Sequence, residues 1–163
     1  MGMGEMTSKE IVSRAIRGLP TPRVASGPLA VHFCAHRKGI SLKEYTSSAE
    51  KMADSILHYY DEFQPDAVWL SADTWVTAGS MGARVGFVDE RQPMGSIGGP
   101  LIRSEEDLDR IPDPDPHHRG RFPLMLEAFR RIRQSLGDEV FLVPCFDQYP
   151  FSLACAIMGA ERV

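Results

Sequence analysis

Apolar positions recur along the chain with two periods. Ile11, Val12, Ala15, Ile16 and Leu19 fall at helical spacing behind Thr7. Thr7 with Glu10 reads as a capping box, in which each side chain satisfies a backbone N–H of the other's residue. Gly18, Pro20 and Pro22 end that helix. Leu29 to Cys34 (LAVHFC) is a short apolar run behind the turn Ser26-Gly27-Pro28, and it predicts a first strand. Ser47 with Glu50 reads as a second capping box. Met52, Ile56, Tyr59, Tyr60 and Phe63 then share one face of a helix that Pro65 stops. Ala67 to Ser71 (AVWLS) predicts a second strand, and Arg84 to Val88 a short extended piece. Ser104 caps a short acidic helix reaching about Arg110. The alternation of Pro112, Pro114 and Pro116 with Asp113 and Asp115 forbids regular structure. Arg121 to Leu136 is strongly amphipathic, with Gly137 as its stop. Val140 to Phe146 predicts a third strand, and Pro150 fits the first turn of a last helix.

Strands separated by helices of ten or more residues define parallel β/α units, with crossovers of one hand. The three strands are continuous apolar runs, as expected when both faces of a parallel sheet are covered. Three strands alone leave two open edges, and a closed (β/α)8 barrel needs about 250 residues. The sequence therefore reads as the opening units of a larger α/β protein.

Composition narrows the class. The 163 residues carry 18 Lys and Arg against 22 Asp and Glu, a net charge of −4. That balance excludes a broadly basic nucleic-acid coat. The 43% hydrophobic content excludes disorder. No apolar run approaches the ~20 residues of a membrane span, and the start of the chain lacks a signal-peptide core, so the expected compartment is the cytoplasm. Three widely spaced cysteines, Cys34, Cys145 and Cys155, form neither a disulfide framework nor a paired zinc motif.

Ligands of parallel α/β folds bind beyond the carboxyl ends of the strands. That rule selects His36-Arg37-Lys38, Ser71-Ala72-Asp73-Thr74 and Asp147-Gln148-Tyr149. Asp73 is the foremost candidate: a carboxylate there orients a cationic or NH-rich ligand or handles a proton. It also reads as a helix cap. Asp147 and Tyr149 offer an acceptor and a phenol, or equally a turn residue and a packed ring. His32 and Cys34, two apart on the expected strand, would face one side, with Cys145 on another strand. One His-x-Cys and a distant Cys make a weak zinc signal, so no metal site is assigned. His117-His118 reads as a solvated loop. GSIGGP (95–100) lacks a nucleotide-loop register, and Arg130, Arg131 and Arg133 are a helix's solvated face.

Four stretches in order resemble the N-terminal part of the uroporphyrinogen decarboxylase superfamily: TSKEIVSRAIRGLPTPRV, GISLKEYTSSAEKMADSILHYYDEF, PDAVWLSADTWVTAGSMGARVGF and VPCFDQYPFSLACAIMGAE. The resemblance implies a partial TIM (β/α)8 barrel of α/β class, roughly its first three β/α units with an N-terminal helix, filling residues 1–163. It implies a site at the barrel mouth, with Asp73 on the family aspartate that faces a tetrapyrrole's central NH groups. His36, Arg37, Asp147 and Tyr149 would be its substrate-binding neighbours. True decarboxylases carry an arginine pair where His36 and Ile40 stand here, and a tyrosine where Ala156 stands. Lacking these, the chain is more similar to the family's methyltransferase branch. That branch moves methyl groups between a corrinoid protein and a thiol or tetrahydrofolate. The resemblance thus implies a corrinoid-protein partner and, for the full-length parent, zinc held by residues beyond Val163. It assigns no cofactor to this chain alone. The further expectations are an inactive fragment, a decarboxylase-like tetrapyrrole enzyme, or self-association through open sheet edges.

Overall fold

The computed structural model describes residues 6–88, 91–95, 97–112, 115–145 and 150–163. Helix α1 (Ser8–Ile16) opens with the expected box: Glu10 N–H donates to Thr7 Oγ1 at 3.2 Å and Thr7 N–H to Glu10 Oε2 at 2.9 Å. Lys9 N–H donates to the Glu139 carbonyl at 2.7 Å, tying the helix to the far end of the chain.

The expected first strand is a helix. Val31–Lys38 forms α2, which packs on α4 (Ala49–Phe63). A four- to six-residue apolar run fits either state, and packing decides between them. Cys34 and Ala35 bury together against Tyr45, Met52 and Ile56. Phe33 meets Tyr59 and Phe63 of α4, with ring centroids 6.2 and 5.8 Å away. The stop signal was present: Gly39 takes the left-handed φ of 73°, letting Ile40 N–H reach the Ala35 carbonyl. His36, Arg37 and Lys38 therefore end a helix, where cations suit the dipole, rather than forming a loop after a strand.

A short helix α3 (Leu42–Ser47) precedes α4 and carries its own box, Ser41 with Glu44. Ser47 is its last residue, so the α4 cap is Ser48, whose hydroxyl accepts from Lys51 N–H at 3.3 Å. The apolar face of α4 points into the core as its spacing required: Met52 and Ile56 are fully buried.

Strand β1 (Ala67–Leu70) pairs in parallel with β4 (Phe141–Pro144), Ala67 opposite Phe141 through Leu70 opposite Pro144. The two long-range strands of the sequence thus lie side by side. Before α2 the chain runs past the start of β1, where the Ser26 carbonyl accepts from Ala67 N–H at 3.0 Å. Gly27 is needed there, because a Cβ would sit 2.9 Å from Ala67 Cβ. After β1 come a short helix α5 (Val76–Ser80) and an antiparallel hairpin of β2 (Gly86–Val88) and β3 (Arg91–Met94). The acidic segment Glu105–Arg110 is a 3-10 helix. Helix α6 (Phe122–Leu136) lays Met125, Ala128 and Ile132 on α4, and Gly137, at φ 61°, follows it. Helix α7 (Pro150–Met158) begins at proline as expected.

The main core is therefore a helical layer, α2, α3, α4 and α6, on one side of β1 and β4. A smaller cluster joins α5 and α7 through Ala78, Ile102, Ala156 and Ile157. Among the described residues no helix is long and apolar enough to cross a membrane.

Candidate functional site

The chain leaves the carboxyl end of β1 through Ser71, Ala72 and Asp73, all three buried. Each is held from a different element. Tyr45 of α3 donates its hydroxyl to the Ser71 carbonyl at 3.0 Å. Burial raises the Tyr45 pKa well above its ordinary value, so the phenol stays a neutral donor. His32 of α2 places Nε2 3.1 Å from the Ala72 carbonyl oxygen, a group that only accepts, so Nε2 carries the proton. The His32 and Tyr45 rings meet edge to face with centroids 6.4 Å apart.

Asp73 bonds a backbone N–H of the following turn, as the capping reading expected, and it has a second partner that neither reading named. Its Oδ1 accepts from Trp75 N–H at 2.8 Å, which caps the turn into α5. Its carboxylate also receives both terminal nitrogens of Arg121: Nη2 donates to Oδ1 at 2.8 Å and Nη1 to Oδ2. Arg121 stands at the N-cap of α6 and stacks over the Phe87 ring of β2, 5.0 Å from its centroid. The Asp73 side chain is fully enclosed and that of Arg121 is 16% exposed. A buried carboxylate is tolerable there because its charge and both its oxygens are met by one planar fork.

Beside this pair opens a cleft of about 350 Å³. The turn into α2 with its first residues (29–33) forms one wall, and Ser71, Asp73, Thr74 and Gln92 form the other. Gln92 Nε2 donates to Thr74 Oγ1 at 2.6 Å, so the β3 edge closes the side of the mouth. The walls combine apolar surface with a few convergent polar groups, the composition of a small-molecule site.

The other candidates are placed as follows. His36 and Arg37 lie in the last turn of α2, exposed and outside the cleft lining. The Arg37 guanidinium forks onto Glu62 of α4, with Nε donating at 3.0 Å and Nη2 at 2.5 Å. Asp147 and Tyr149, with Gln148, lie outside the described residues. His32 and Cys34 are not on one face, because two positions of an α-helix are ~200° apart. Cys34 instead donates Sγ–H to the Ala30 carbonyl at 3.0 Å, and burial pushes its thiol up to about 12. His118 bonds Asp115 at 2.7 Å in an exposed turn. Among the described residues no three His, Cys, Asp or Glu side chains gather to hold a metal ion.

The expected extended piece, Arg84 to Val88, contains β2, but sequence reasoning missed Arg121, the hairpin's second strand and Gln92. Arg121 did carry one local signal: a cation at a helix N-terminus opposes the dipole, and such an inconsistency points to a tertiary partner.

Parallel strands, covering helices and a polar cleft beyond a strand's carboxyl end define an α/β chain built as part of a (β/α)8 barrel. A solved methyltransferase from Methanosarcina mazei has this fold. It superposes with a TM-score of 0.80 at 24% identity, covering 96% of this chain and 47% of that one. The sequence pattern of the uroporphyrinogen decarboxylase (URO-D) family matches residues 7–163, and the chain belongs to that family. Among its relatives is a uroporphyrinogen decarboxylase of Anaeromyxobacter dehalogenans (strain 2CP-C), 33% identical over 135 residues, which are 80% of this chain and 38% of that protein. Another, from Anaeromyxobacter sp. (strain Fw109-5), is 32% identical over the same lengths. The chain thus spans well under half the length of these curated relatives.

Proposed function

We propose that this chain supplies the Asp73 wall of a methyltransferase that moves a methyl group between a corrinoid protein and a thiol or tetrahydrofolate. The observation that carries the reading is the Asp73–Arg121 pair. Both carboxylate oxygens are already engaged by one guanidinium, and Oδ1 also by Trp75 N–H. Such a carboxylate is a neutralised, fixed wall rather than a free anion offered to a ring of pyrrole NH groups. The positions where decarboxylases hold substrate carboxylates are His36 and Ile40 here. Arg37, adjacent to them, is committed to Glu62. A substrate rich in carboxylates therefore finds no bidentate clamp among these residues.

A corrinoid carries the methyl group on cobalt and releases it to a nucleophile. A thiol acceptor would lose its proton to solvent and attack as the thiolate, the carbon–sulfur bond forming while the electron pair of the cobalt–carbon bond stays on the cobalt of the corrinoid substrate. In this reading Asp73 contacts the bound ligand, whereas His36 and Arg37, in the last turn of α2, stand outside the cleft lining. Ser71 and Ala72 are held in place by Tyr45 and His32.

The relatives at 33% and 32% identity, both named uroporphyrinogen decarboxylase, favour a second reading as a tetrapyrrole enzyme. Parallel assays of the native protein separate the two. It is given either a methylated corrinoid protein with thiol or tetrahydrofolate, or uroporphyrinogen. Methylated thiol or methyltetrahydrofolate without decarboxylated porphyrinogen is the expected product pattern. Decarboxylated porphyrinogen, or no turnover of either substrate, overturns the methyl-transfer reading.

A further inference from the structure

A second cleft, of about 540 Å³, lies away from Asp73 and shares no lining residue with the first. Its floor is the glycine loop that follows the hairpin. Gly98 and Gly99 are both in the left-handed region, at φ 88° and 102°. The backbone path is thus open to glycine and strained for other residues. Gly99 also makes room for an arginine, since a Cβ there would sit only 3.2 Å from Arg103 Nη2, and Arg84 Nη1 lies in ordinary contact range of Gly98, 3.8 Å from where its Cβ would be. The two guanidinium groups therefore stand over the same bare turn. Arg110 lines the cleft as well.

The cations outnumber the one carboxylate beside them, Asp107, which the charges of Arg110 and Arg103 share. Among the described residues the Arg103 guanidinium donates to carbonyls, Nη2 to Gly98 at 3.2 Å and Nε to Pro100 at 3.4 Å. The Arg84 side chain makes no ion pair among the described residues, while its carbonyl accepts from Ile97 N–H at 3.2 Å and fixes the loop. Asp107 is the one carboxylate in the lining, and it is spent on Arg110 Nη1 and on the N–H groups of Arg103 and Ser104. Arg162 adds a further cation at the edge, with Nη1 on the Arg103 carbonyl at 2.8 Å. A chain of net charge −4 thus concentrates fixed positive charge on one glycine turn.

We infer that this cleft binds the phosphate group of a small anionic ligand between Arg84 and Arg103 over Gly98-Gly99. Guanidinium forks match tetrahedral oxyanions in bidentate geometry, and two forks that make no hydrogen bond to a carboxylate among the described residues suit a doubly charged group better than one carboxylate. The cleft volume falls in the ~300–1,000 Å³ range of small-molecule sites, so there is room for a body beyond the phosphate. The inference is independent of the methyl-transfer reading.

The test is calorimetric titration of the chain with inorganic pyrophosphate at neutral pH and constant ionic strength. Saturable binding is expected. Arg84→Ala should weaken it by roughly tenfold or more, as for a lost charged hydrogen bond. Arg103→Lys keeps the charge and loses the fork, so it should weaken binding too. Arg130→Ala removes the same charge from a distant helix face and should leave the affinity unchanged. Arg84 is exposed and its side chain anchors nothing in the fold, so its loss leaves the chain folded. Absence of saturation, or equal weakening by Arg130→Ala, overturns the inference.

Discussion

Asp66 and Asp73 flank the same strand, and each is paired with an arginine for a different purpose. At the amino end, Asp66 is 1% exposed and accepts from Arg23 Nη1 and Nη2 at 2.5 and 2.6 Å and from Ser26 N–H at 2.8 Å. The Arg23 hydrogen bonds, more than any other contact, hold its carboxyl down at about 2. A carboxylate with a depressed folded pKa stabilises the fold above its unfolded value of ~4, and that stabilisation is lost as pH falls through about 2. The contribution is on the order of 2 kcal/mol. Urea unfolding of the chain and of Asp66→Asn should differ most near neutral pH, and the gap should close only as pH falls to about 2. A stability gap that persists undiminished into acid would contradict this account. At the carboxyl end, Arg121→Met strands the enclosed Asp73 charge and should cost about 3–5 kcal/mol. Adding Asp73→Asn to that variant should recover part of the loss. Strict additivity in the double-mutant cycle would mean that the pair is not coupled.

At the scale of elements, legibility followed locality. The capping box of α1, the apolar stripes of α4 and α6 and the proline start of α7 are patterns within one segment, and all are realised. The apolar run at 29–34 was misread because its state depends on α4, twenty residues away, which offers Tyr59 and Phe63 to Phe33. The hairpin's second strand escaped because Arg91–Met94 (RQPM) is polar and contains a proline, as only an edge strand tolerates. Yet that hairpin places Phe87 on Arg121 and Gln92 on Thr74. Its position is enforced by Gly95, where a Cβ would lie 1.8 to 2.3 Å from the Trp75 ring. Gly95→Ala should therefore lower stability by about 1–3 kcal/mol, read as a fall in the thermal midpoint. An unchanged midpoint would show that the ring and loop move apart freely. Asp73 was legible because an acid directly after a buried strand is a local signal. Arg121, 48 residues further on, could only be found by folding the chain.

For the whole molecule, β1 and β4 make a two-stranded parallel sheet covered by a helical layer, the start of a barrel wall. The solved methyltransferase supplies the comparison of scale, since this chain matches 47% of it. A cleft opens where strand ends meet helix starts, and its charged pair is internally balanced. Its polar wall is supplied by Ser71, Asp73 and Thr74 after β1 and by Gln92 of β3. The central claim is that this cleft serves methyl transfer, and a single-turnover experiment tests it most directly. The native protein is mixed with methylated corrinoid protein and excess thiol or tetrahydrofolate, and the cobalt spectrum is followed as the methyl group leaves. Demethylation is predicted, slowed ~10²-fold by Asp73→Asn through lost positioning, at a temperature where circular dichroism shows the variant folded. A methyl-corrinoid spectrum unchanged by the native protein, or an undiminished rate in Asp73→Asn, would contradict the account.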